Sequence, residues 1–291
     1  MIDATEIFCK ADDFFKGFEP EFKKHLIQNG RIRNKFPELT ISEMMTIMML
    51  FHQSCYRHFK GYYKNYVLVH LRKEFPKLVS YNRFIQLMPR IIVPLLAFSQ
   101  SIKGKSTGIS FVDSTSISVC KNKRINRNRV FKGLASRGKS TMGWFFGFKL
   151  HLIVNHHGDL LSWKLTQGHV DDRKPVPSMA KNIKGKLFAD KGYISQPLFK
   201  ELLEKGTHLV TNIRSNMKNR LMPIMDRLLL KKRFIIETIN DQLKNISQIE
   251  HSRHRSPMNF LVNLLAALSA YQLKPKKPAI KLNFSQLSLQ F

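Results

Sequence analysis

The stretch GISFVDSTSI, residues 108–117, decides the fold of this chain. Its apolar and β-branched residues predict a strand, and that strand carries a single acid, Asp113. A carboxylate within a central, buried strand is costly unless it is paired or bound to a metal ion. Asp113 is therefore the first candidate for a functional side chain.

Two further acids stand in settings that complement this one. Asp190 ends the apolar run LFAD, residues 187–190, and Glu237 lies in the helical pattern RFIIETI, residues 233–239. Two aspartates on strands and one glutamate on a helix can hold a pair of divalent ions, which clamp the attacking and leaving oxygens of a phosphodiester. The structural alternatives are a helix N-cap for Asp190 and an exposed, charge-paired helix face for Glu237.

The hydrophobic pattern predicts how the rest of the chain is organised. Strands are predicted at residues 108–119, 144–154, 159–166, 186–190 and 207–213, and helices at 176–183, 196–204 and 227–249. This order indicates an α/β fold, a ribonuclease-H-like mixed sheet with flanking helices, preceded by an all-helical N-terminal domain. We expect a helical, DNA-binding domain at 1–105, a catalytic domain at 106–273 and a basic, mobile tail at 274–291. Trp144 and Trp163, on predicted strands, are expected in the core.

The N-terminal hundred residues contain clear helix signals. Thr40 and Glu43 have the spacing of a capping box ahead of an apolar helix. Ser80 suits the N-cap of a second helix, which we interpret as a recognition helix with Arg83 facing DNA. An ordinary helical bundle with a basic solvent face is the alternative.

The charge of the chain indicates a polyanionic partner. The chain has 49 Lys and Arg against 20 Asp and Glu, a formal net charge of +29, and its 43% hydrophobic residues exclude a disordered basic tail. Neutralising phosphates releases counterions, so nucleic acid is the expected partner, with ribosomal or membrane-surface association as alternatives. Six basic residues of the loop after the first strand are predicted to clamp DNA: Lys121, Lys123, Arg124, Arg127, Arg129 and Lys132. Arg233 and Lys244, on the predicted helix of Glu237, are expected to hold the DNA backbone on either side of that acid.

The cysteines and the N-terminus bear on location. Cys9, Cys55 and Cys120 are isolated, which favours free thiols in a reducing cytoplasm. The N-terminus lacks the pattern of a signal peptide, and the longest apolar runs are too short to span a bilayer. We therefore expect a soluble, cytoplasmic protein.

Several motifs together resemble a known family. The stretches FVDST (111–115), VFKG (130–133), GWFFGFKLH (143–151) and ADKGYI (189–194) resemble bacterial insertion-sequence transposases of the DDE type, most closely the insertion-sequence-982 family. Arg233, Glu237 and Lys244 match three positions of the wider tyrosine-arginine-glutamate-lysine signature, whose tyrosine falls at Leu230. The run HSRHRSP (251–257) resembles the C-terminal block of the family.

The resemblance implies a function and its parts. It implies a DNA transposase that cleaves the ends of its insertion sequence and joins them to target DNA by two-metal phosphodiester hydrolysis and transesterification. Asp113, Asp190 and Glu237 would be the catalytic, metal-binding triad for two Mg²⁺ ions, with Mn²⁺ able to substitute. The partners would be the terminal inverted repeats and target DNA, with a homodimer on the element ends, no membrane, and a location at the bacterial nucleoid.

Two other functions remain open from the residues. One is a ribonuclease-H-like nuclease that cuts DNA without strand transfer. The other is a catalytically silent DNA-binding protein, against which the presence of all three acids argues.

Overall fold

The computed structural model describes residues 3–25, 39–54, 56–141, 143–213, 215–217, 221–250 and 254–281. The chain divides into two compact units. The helical unit comprises Met1–Ile102, Asn126–Lys132 and Gln242–Pro275, and the sheet unit comprises Lys103–Ile125, Gly133–Asp241 and Lys276–Phe291. The first border lies near the predicted residue 105, but the segment after residue 241 groups with the N-terminal helices. The functional roles assigned to the predicted domains stay a prediction.

The elements follow one another in a simple order. The first helices are α1 (Ala4–His25), α2 (Ile41–Phe51), α3 (Phe59–Tyr62), α4 (Leu68–His70), α5 (Tyr81–Leu87) and α6 (Ile92–Ser101). Strands β1 (Ile109–Cys120), β2 (Ser136–Ser140), β3 (Gly143–Asn155) and β4 (Leu160–Gln167) come next. They are followed by α7 (Val176–Met179), β5 (Gly185–Ala189), α8 (Gln196–Glu204), β6 (Thr207–Thr211), α9 (Ile224–Lys231), α10 (Phe234–Asp241) and α11 (Pro257–Gln272).

Short irregular helices connect several of these elements. They are π-helices at Tyr63–Val67 and Gln242–Ile246 and 3-10 helices at Met88–Ile91, Asn122–Arg127 and Lys191–Tyr193.

The helical unit is built around α2 and α11. The predicted capping box starts α2, since the Thr40 hydroxyl accepts from the Glu43 amide at 3.1 Å and the Glu43 carboxylate accepts from the Thr40 amide at 2.7 Å. Almost every side chain of α2 is buried, as are most of those of α11, and α11 packs against both α2 and α6. An apolar helix without a polar face needs such cover on all sides.

The segment Tyr81–Ser101 is, by length and composition alone, apolar enough to cross a membrane, and 44% of it is buried. It exceeds the apolar runs read from the sequence because α5, a 3-10 helix and α6 continue one another. Core helices of soluble proteins pass the same test.

The sheet unit has the strand order β4-β3-β1-β5-β6, with β2 also paired to β3. The first three long strands, β1, β3 and β4, form an antiparallel meander, while β5 runs parallel to β1 and β6 parallel to β5. This is the ribonuclease-H-like order, and it confirms the predicted fold class. The short strand β2 was not predicted, because its sequence SRGKS has no apolar alternation.

Helices cover both faces of this sheet. Val112 and Leu187 point into a buried cluster that includes Val176 of α7 and Leu202 of α8. Side chains alternate along a strand, so Asp113 points to the opposite face, where α10 contacts β1. The fold thereby places Asp113 beneath the helix that carries Glu237.

The helix predicted at 227–249 is broken into three pieces. Bonds of the 3-10 type, such as that from the Ile236 amide to the Arg233 carbonyl at 3.1 Å, separate α9 from α10, and the π-helix Gln242–Ile246 follows. The break turns α9 relative to α10 about the helix axis, so the apolar residues of the two helices do not form one continuous stripe. Leu228, on α9, is accordingly 42% exposed. A continuous α-helix was therefore a wrong prediction.

Part of the segment predicted as a mobile tail is attached to the sheet unit. The Ile280 amide donates to the carbonyl of His156 at 2.8 Å, and the Lys277 ammonium pairs with Asp159 at 3.1 Å. Residues 282–291 of that segment lie outside the described residues.

Candidate active site

Asp113 lies at the centre of the sheet. It stands opposite Leu152 of β3, and one of its carboxylate oxygens accepts from the Asn240 amide of α10 at 3.1 Å. Burial raises the pKa of Asp113 to about 7 against the opposing effect of Arg233, and the charges of Asp190 and Glu237 add to the rise. The chain thus holds this acid where a negative charge is unfavourable without a nearby cation.

Asp190 follows the last residue of β5, the strand parallel to β1. Its Oδ1 accepts from the Gly192 amide at 2.9 Å, so it caps a short 3-10 helix, as the structural alternative expected. A Cβ on Gly192 would lie 3.1 Å from that oxygen, which is tighter than ordinary contact. Gly192 therefore gives the carboxylate room at the carboxyl end of the strand, a usual place for site residues in α/β sheets.

Glu237 lies one turn into α10 and is 55% exposed at its side chain. Arg233, four residues earlier, donates from Nη2 to Glu237 Oε1 at 2.6 Å. The same guanidinium lowers the pKa of Asp113, so it acts on two of the three acids. Glu237 is therefore both a partner in an i,i+4 ion pair and a member of the acidic group.

The charges of Asp190 and Glu237 both raise the pKa of Asp113, so both acids lie within electrostatic range of it. As placed, no three His, Cys, Asp or Glu side chains within the described ranges stand close enough to hold one ion. The donor chemistry nevertheless fits divalent cations, because the group supplies only carboxylate oxygens. A cation there would relieve the desolvation and like-charge repulsion that raise the pKa of Asp113.

Asn240 is the neighbour of this group that the sequence did not reveal. It is buried, and its second amide atom, Oδ1, has no hydrogen-bond partner among the described residues. The sequence held one indication of this neighbour. Asn240 follows Glu237 by three residues, and positions i and i+3 of a helix share a face.

Tyr193 is buried in the same region. Burial, followed by the charges of Asp113, Asp172 and Asp190, raises the pKa of its hydroxyl. Asp172 in turn accepts from the Lys149 ammonium at 3.0 Å. A second layer of polar groups thus stands beside the three acids.

The predicted DNA contacts of the loop after β1 are all solvent-exposed: Lys121, Lys123, Arg124, Arg127, Arg129 and Lys132. Lys121, Lys123 and Arg124 belong to the sheet unit and the other three to the helical unit. Their exposure leaves them accessible to a polyanion, and their contact with DNA stays a prediction.

The other predicted DNA contacts have protein partners. Arg83 is exposed on α5, which Ser80 caps as predicted, and its guanidinium donates to Gln86 at 3.3 Å. Lys244 lies in a π-helix of the helical unit and pairs with Glu250 at 3.0 Å. Their roles toward DNA stay predictions.

Trp144 was expected in the core, and that expectation is wrong. It lies near the start of β3, is 63% exposed, and has the Lys139 ammonium 6.0 Å from its ring centroid. Its backbone carbonyl accepts from Asn122 at 2.7 Å, which joins it to the basic loop. Trp144 pairs with Lys139 near the end of the edge strand β2, and no neighbouring element among the described residues covers its ring.

Residues 103–257 match the family model described as a transposase DDE domain, more than half of the 291-residue chain. The chain belongs to this family and is an enzyme of the DDE transposase class. The matched region contains all three acids. Its last part includes the block 251–257, of which 251–253 lie outside the described residues.

The solved structures to which the chain is similar include the following two complexes. A piggyBac transposase synaptic complex with hairpin DNA has a TM-score of 0.48 at 12% identity, covering 96% of this chain and 78% of that chain. A simian T-cell lymphotropic virus intasome in complex with the PP2A regulatory subunit B56 gamma has a TM-score of 0.26 at 13% identity, covering 66% of this chain and 60% of that chain. A search of curated proteins found no match.

Proposed function

We propose that this transposase cleaves the ends of its own insertion sequence and joins them to target DNA. The observation that carries the proposal is the position of Asp113, a half-buried carboxylate on the central strand β1 that accepts from Asn240 of α10 at 3.1 Å and whose pKa responds to Asp190, Glu237 and Arg233. Such an arrangement is costly for a purely structural role and suits the binding of cations. The finer resemblance, to the insertion-sequence-982 family, belongs to the same proposal.

Asp113, Asp190 and Glu237 would hold two divalent ions, Mg²⁺ with Mn²⁺ able to substitute. When bound, such ions activate the attacking oxygen and stabilise the charge on the phosphoryl group in hydrolysis and transesterification. Asn240 keeps the Asp113 carboxylate in one orientation through its hydrogen bond. Arg233 fixes Glu237 and offsets part of the negative charge of the group.

DNA is the proposed substrate and partner, both as terminal inverted repeats and as target. The net charge of +29 and the exposed basic residues of the loop after β1 support this assignment. The proposal includes a homodimer on the two element ends, because transfer requires both ends to be held together. It also includes a place in the bacterial cytoplasm, at the nucleoid.

Replacement of Asp113 by Asn tests the function. The variant keeps the shape of the side chain and its place beside Asn240 but loses the charge that binds cations. We expect element-end cleavage and strand joining to fall by at least about a hundredfold, with binding of end DNA retained. Retention of full metal-dependent cleavage and joining in Asp113→Asn would show that the acids are assigned wrongly.

A second assay separates this function from a nuclease. Element ends that already carry a free 3′ hydroxyl are incubated with a target plasmid and Mg²⁺. A transposase joins them to the plasmid, whereas a nuclease without strand transfer leaves them unjoined. Binding of end DNA with neither cleavage nor joining would indicate a catalytically silent DNA-binding protein.

A further inference from the structure

A second candidate site lies within the helical unit, apart from the three acids. It is a cavity of about 820 Å³ to which α2, α3, α5 and α11 contribute lining residues. All the residues that line it belong to the helical unit. Its size is within the usual range of small-ligand sites.

The mouth of this cavity is basic. Arg57, Lys60 and Arg255 line it, and all three are exposed, while no acid is found among the described lining residues. The His58 ring also lines it, with Nδ1 accepting the Gly61 amide at 2.9 Å. That bond leaves the proton of a neutral ring on Nε2, which makes it a further donor. The charge and the donors suit an anionic group such as a phosphate.

Two side-chain polar atoms that have no partner among the described residues lie at or just beneath the inner wall. Asn259 and Asn263 lie four residues apart on α11, and both line the cavity. Asn263 is only 3% exposed, and its Nδ2 donor is buried without a partner among the described residues. The Oδ1 acceptor of Asn259 is likewise buried without a partner among the described residues. Buried polar atoms are nearly always satisfied by protein, water or ligand, so one donor and one acceptor beside this wall suit a polar partner.

Aromatic and apolar side chains complete the lining. Phe59 and Tyr81 are partly buried in it, and Met48 and Met88 are buried. A flat ring stacks well against such side chains, and an asparagine amide pairs with the hydrogen-bonding edge of a base. The lining therefore offers partners for the phosphate of a nucleotide and for both the face and the hydrogen-bonding edge of its base.

We propose that this cavity binds one unpaired nucleotide of a DNA strand. The base would lie against Tyr81 and meet the amides of Asn259 and Asn263, and its phosphate would lie at Arg57, Lys60 and Arg255. The nucleotide must be unpaired, because a base stacked within an intact duplex cannot enter a cavity of this kind. The assignment of the ligand rests on the proposed function, in which DNA is the substrate.

Binding measured without divalent ions tests the site independently of the acids. The probes are a labelled single-stranded oligonucleotide and a blunt duplex of the same sequence, with fluorescence anisotropy as the readout. The test variants are Asn263→Leu and Arg255→Ala. Arg90→Ala is the matched control, since Arg90 is exposed in the 3-10 helix Met88–Ile91 of the same unit but does not line the cavity.

We expect the single strand to lose about tenfold in affinity in each test variant and little in Arg90→Ala, with the affinity for the duplex changed less. Arg255 is exposed, so its variant remains informative even if Asn263→Leu fails to fold. Equal losses in Arg255→Ala and Arg90→Ala would overturn the proposal, as they would reflect general charge.

Two added competitors distinguish the source of the phosphate. A free deoxynucleoside monophosphate or inorganic phosphate that displaced the strand at equal concentration would overturn the assignment to DNA. Failure of both competitors to displace the strand supports it. Loss of cleavage in Asp113→Asn with this binding unchanged would leave both proposals standing, whereas cleavage retained in Asp113→Asn would overturn the catalytic assignment alone.

Discussion

The Asn240 side-chain amide donates a hydrogen bond to the Asp113 carboxylate at 3.1 Å, across 127 residues of sequence. The bond joins α10 to the central strand β1 at Asp113, whose pKa is raised to about 7 by burial. It fixes which way one carboxylate oxygen points, and hence where a bound cation would sit.

Replacing Asn240 by Ala removes that bond. We expect DNA cleavage to fall about tenfold to a hundredfold, because a catalytic group displaced by about 1 Å reduces the rate by that much. The half-saturating Mg²⁺ concentration should rise in the same variant, and a metal titration of the cleavage rate measures it. Thr238→Ala is the control, since Thr238 is exposed on the same helix and its hydroxyl bonds only to the Phe234 carbonyl. An equal effect in both variants would contradict the positioning role of Asn240.

Arg233 should matter for activity and little for stability. Its pair with Glu237 is largely exposed on the carboxylate side, and such pairs contribute about 0.2–1 kcal/mol to folding. Arg233→Ala should nevertheless slow cleavage about tenfold, because two acids lose the cation beside them. Lys231→Ala, which removes an exposed cation from the end of α9, is the comparison. Cleavage rates and urea unfolding are measured for both variants. A slower cleavage rate in Arg233→Ala alone shows that the position of the Arg233 cation matters, whereas equal slowing in both variants shows an effect of net charge.

The basic loop should govern the salt dependence of DNA binding. Removing Lys121, Lys123 and Arg124 together should weaken binding and reduce the slope of log K against log salt by about 0.9 for each phosphate that the variant no longer neutralises. The matched control removes three lysines of α1 that already pair with acids of that helix: Lys10, Lys16 and Lys23. Anisotropy over a salt series should leave the slope of the control near that of the wild type. A slope unchanged in the loop variant would show that the loop does not bind phosphate.

The stability of the helical unit should depend on pH through its buried histidines. Burial lowers the pKa of His52 and of His254 to about 4, against an ordinary value of 6.5. Both fold as neutral rings, so stability is full above pH 6.5 and falls as the pH drops toward 4, by up to about 1.4 kcal/mol per pH unit for each ring. Urea unfolding at pH 7 and pH 5 measures this loss. His52→Gln should lose part of the dependence, while His70→Gln, at an exposed position, should keep it all.

The strands and their acids could be predicted because their signals are local. The run 108–117 is apolar enough to specify a strand whatever surrounds it, and β1 is observed at Ile109–Cys120. The helix at Gln196–Glu204 has the predicted bounds, because Ser195 caps it and the turn at Lys205 and Gly206 follows it. The same local logic found Asp113 and Asp190 at strand positions.

What the sequence missed depends on interactions between residues distant along the chain. The apolar stripe around Glu237 matched one continuous helix, but burial against the sheet favours a break before Phe234 that no Gly or Pro marks. Asn240 acquires its role only when α10 lies over β1. Trp144 has the pattern of a core residue, and only the end of the neighbouring edge strand leaves it uncovered.

The helical unit is assembled from three stretches of the chain, the last of them far from the first, and this has a consequence for synthesis on the ribosome. The sheet segment, Gly133–Asp241, is synthesised before α11. The apolar sides of α2 and α6 that pack against α11 therefore stay exposed until translation has passed residue 272. A shortened gene copy ending before Pro257 would still encode all three acids, yet its product would expose that surface and be removed by proteases or chaperones. Quality control of the nascent chain thus limits which copies of the gene yield a lasting enzyme.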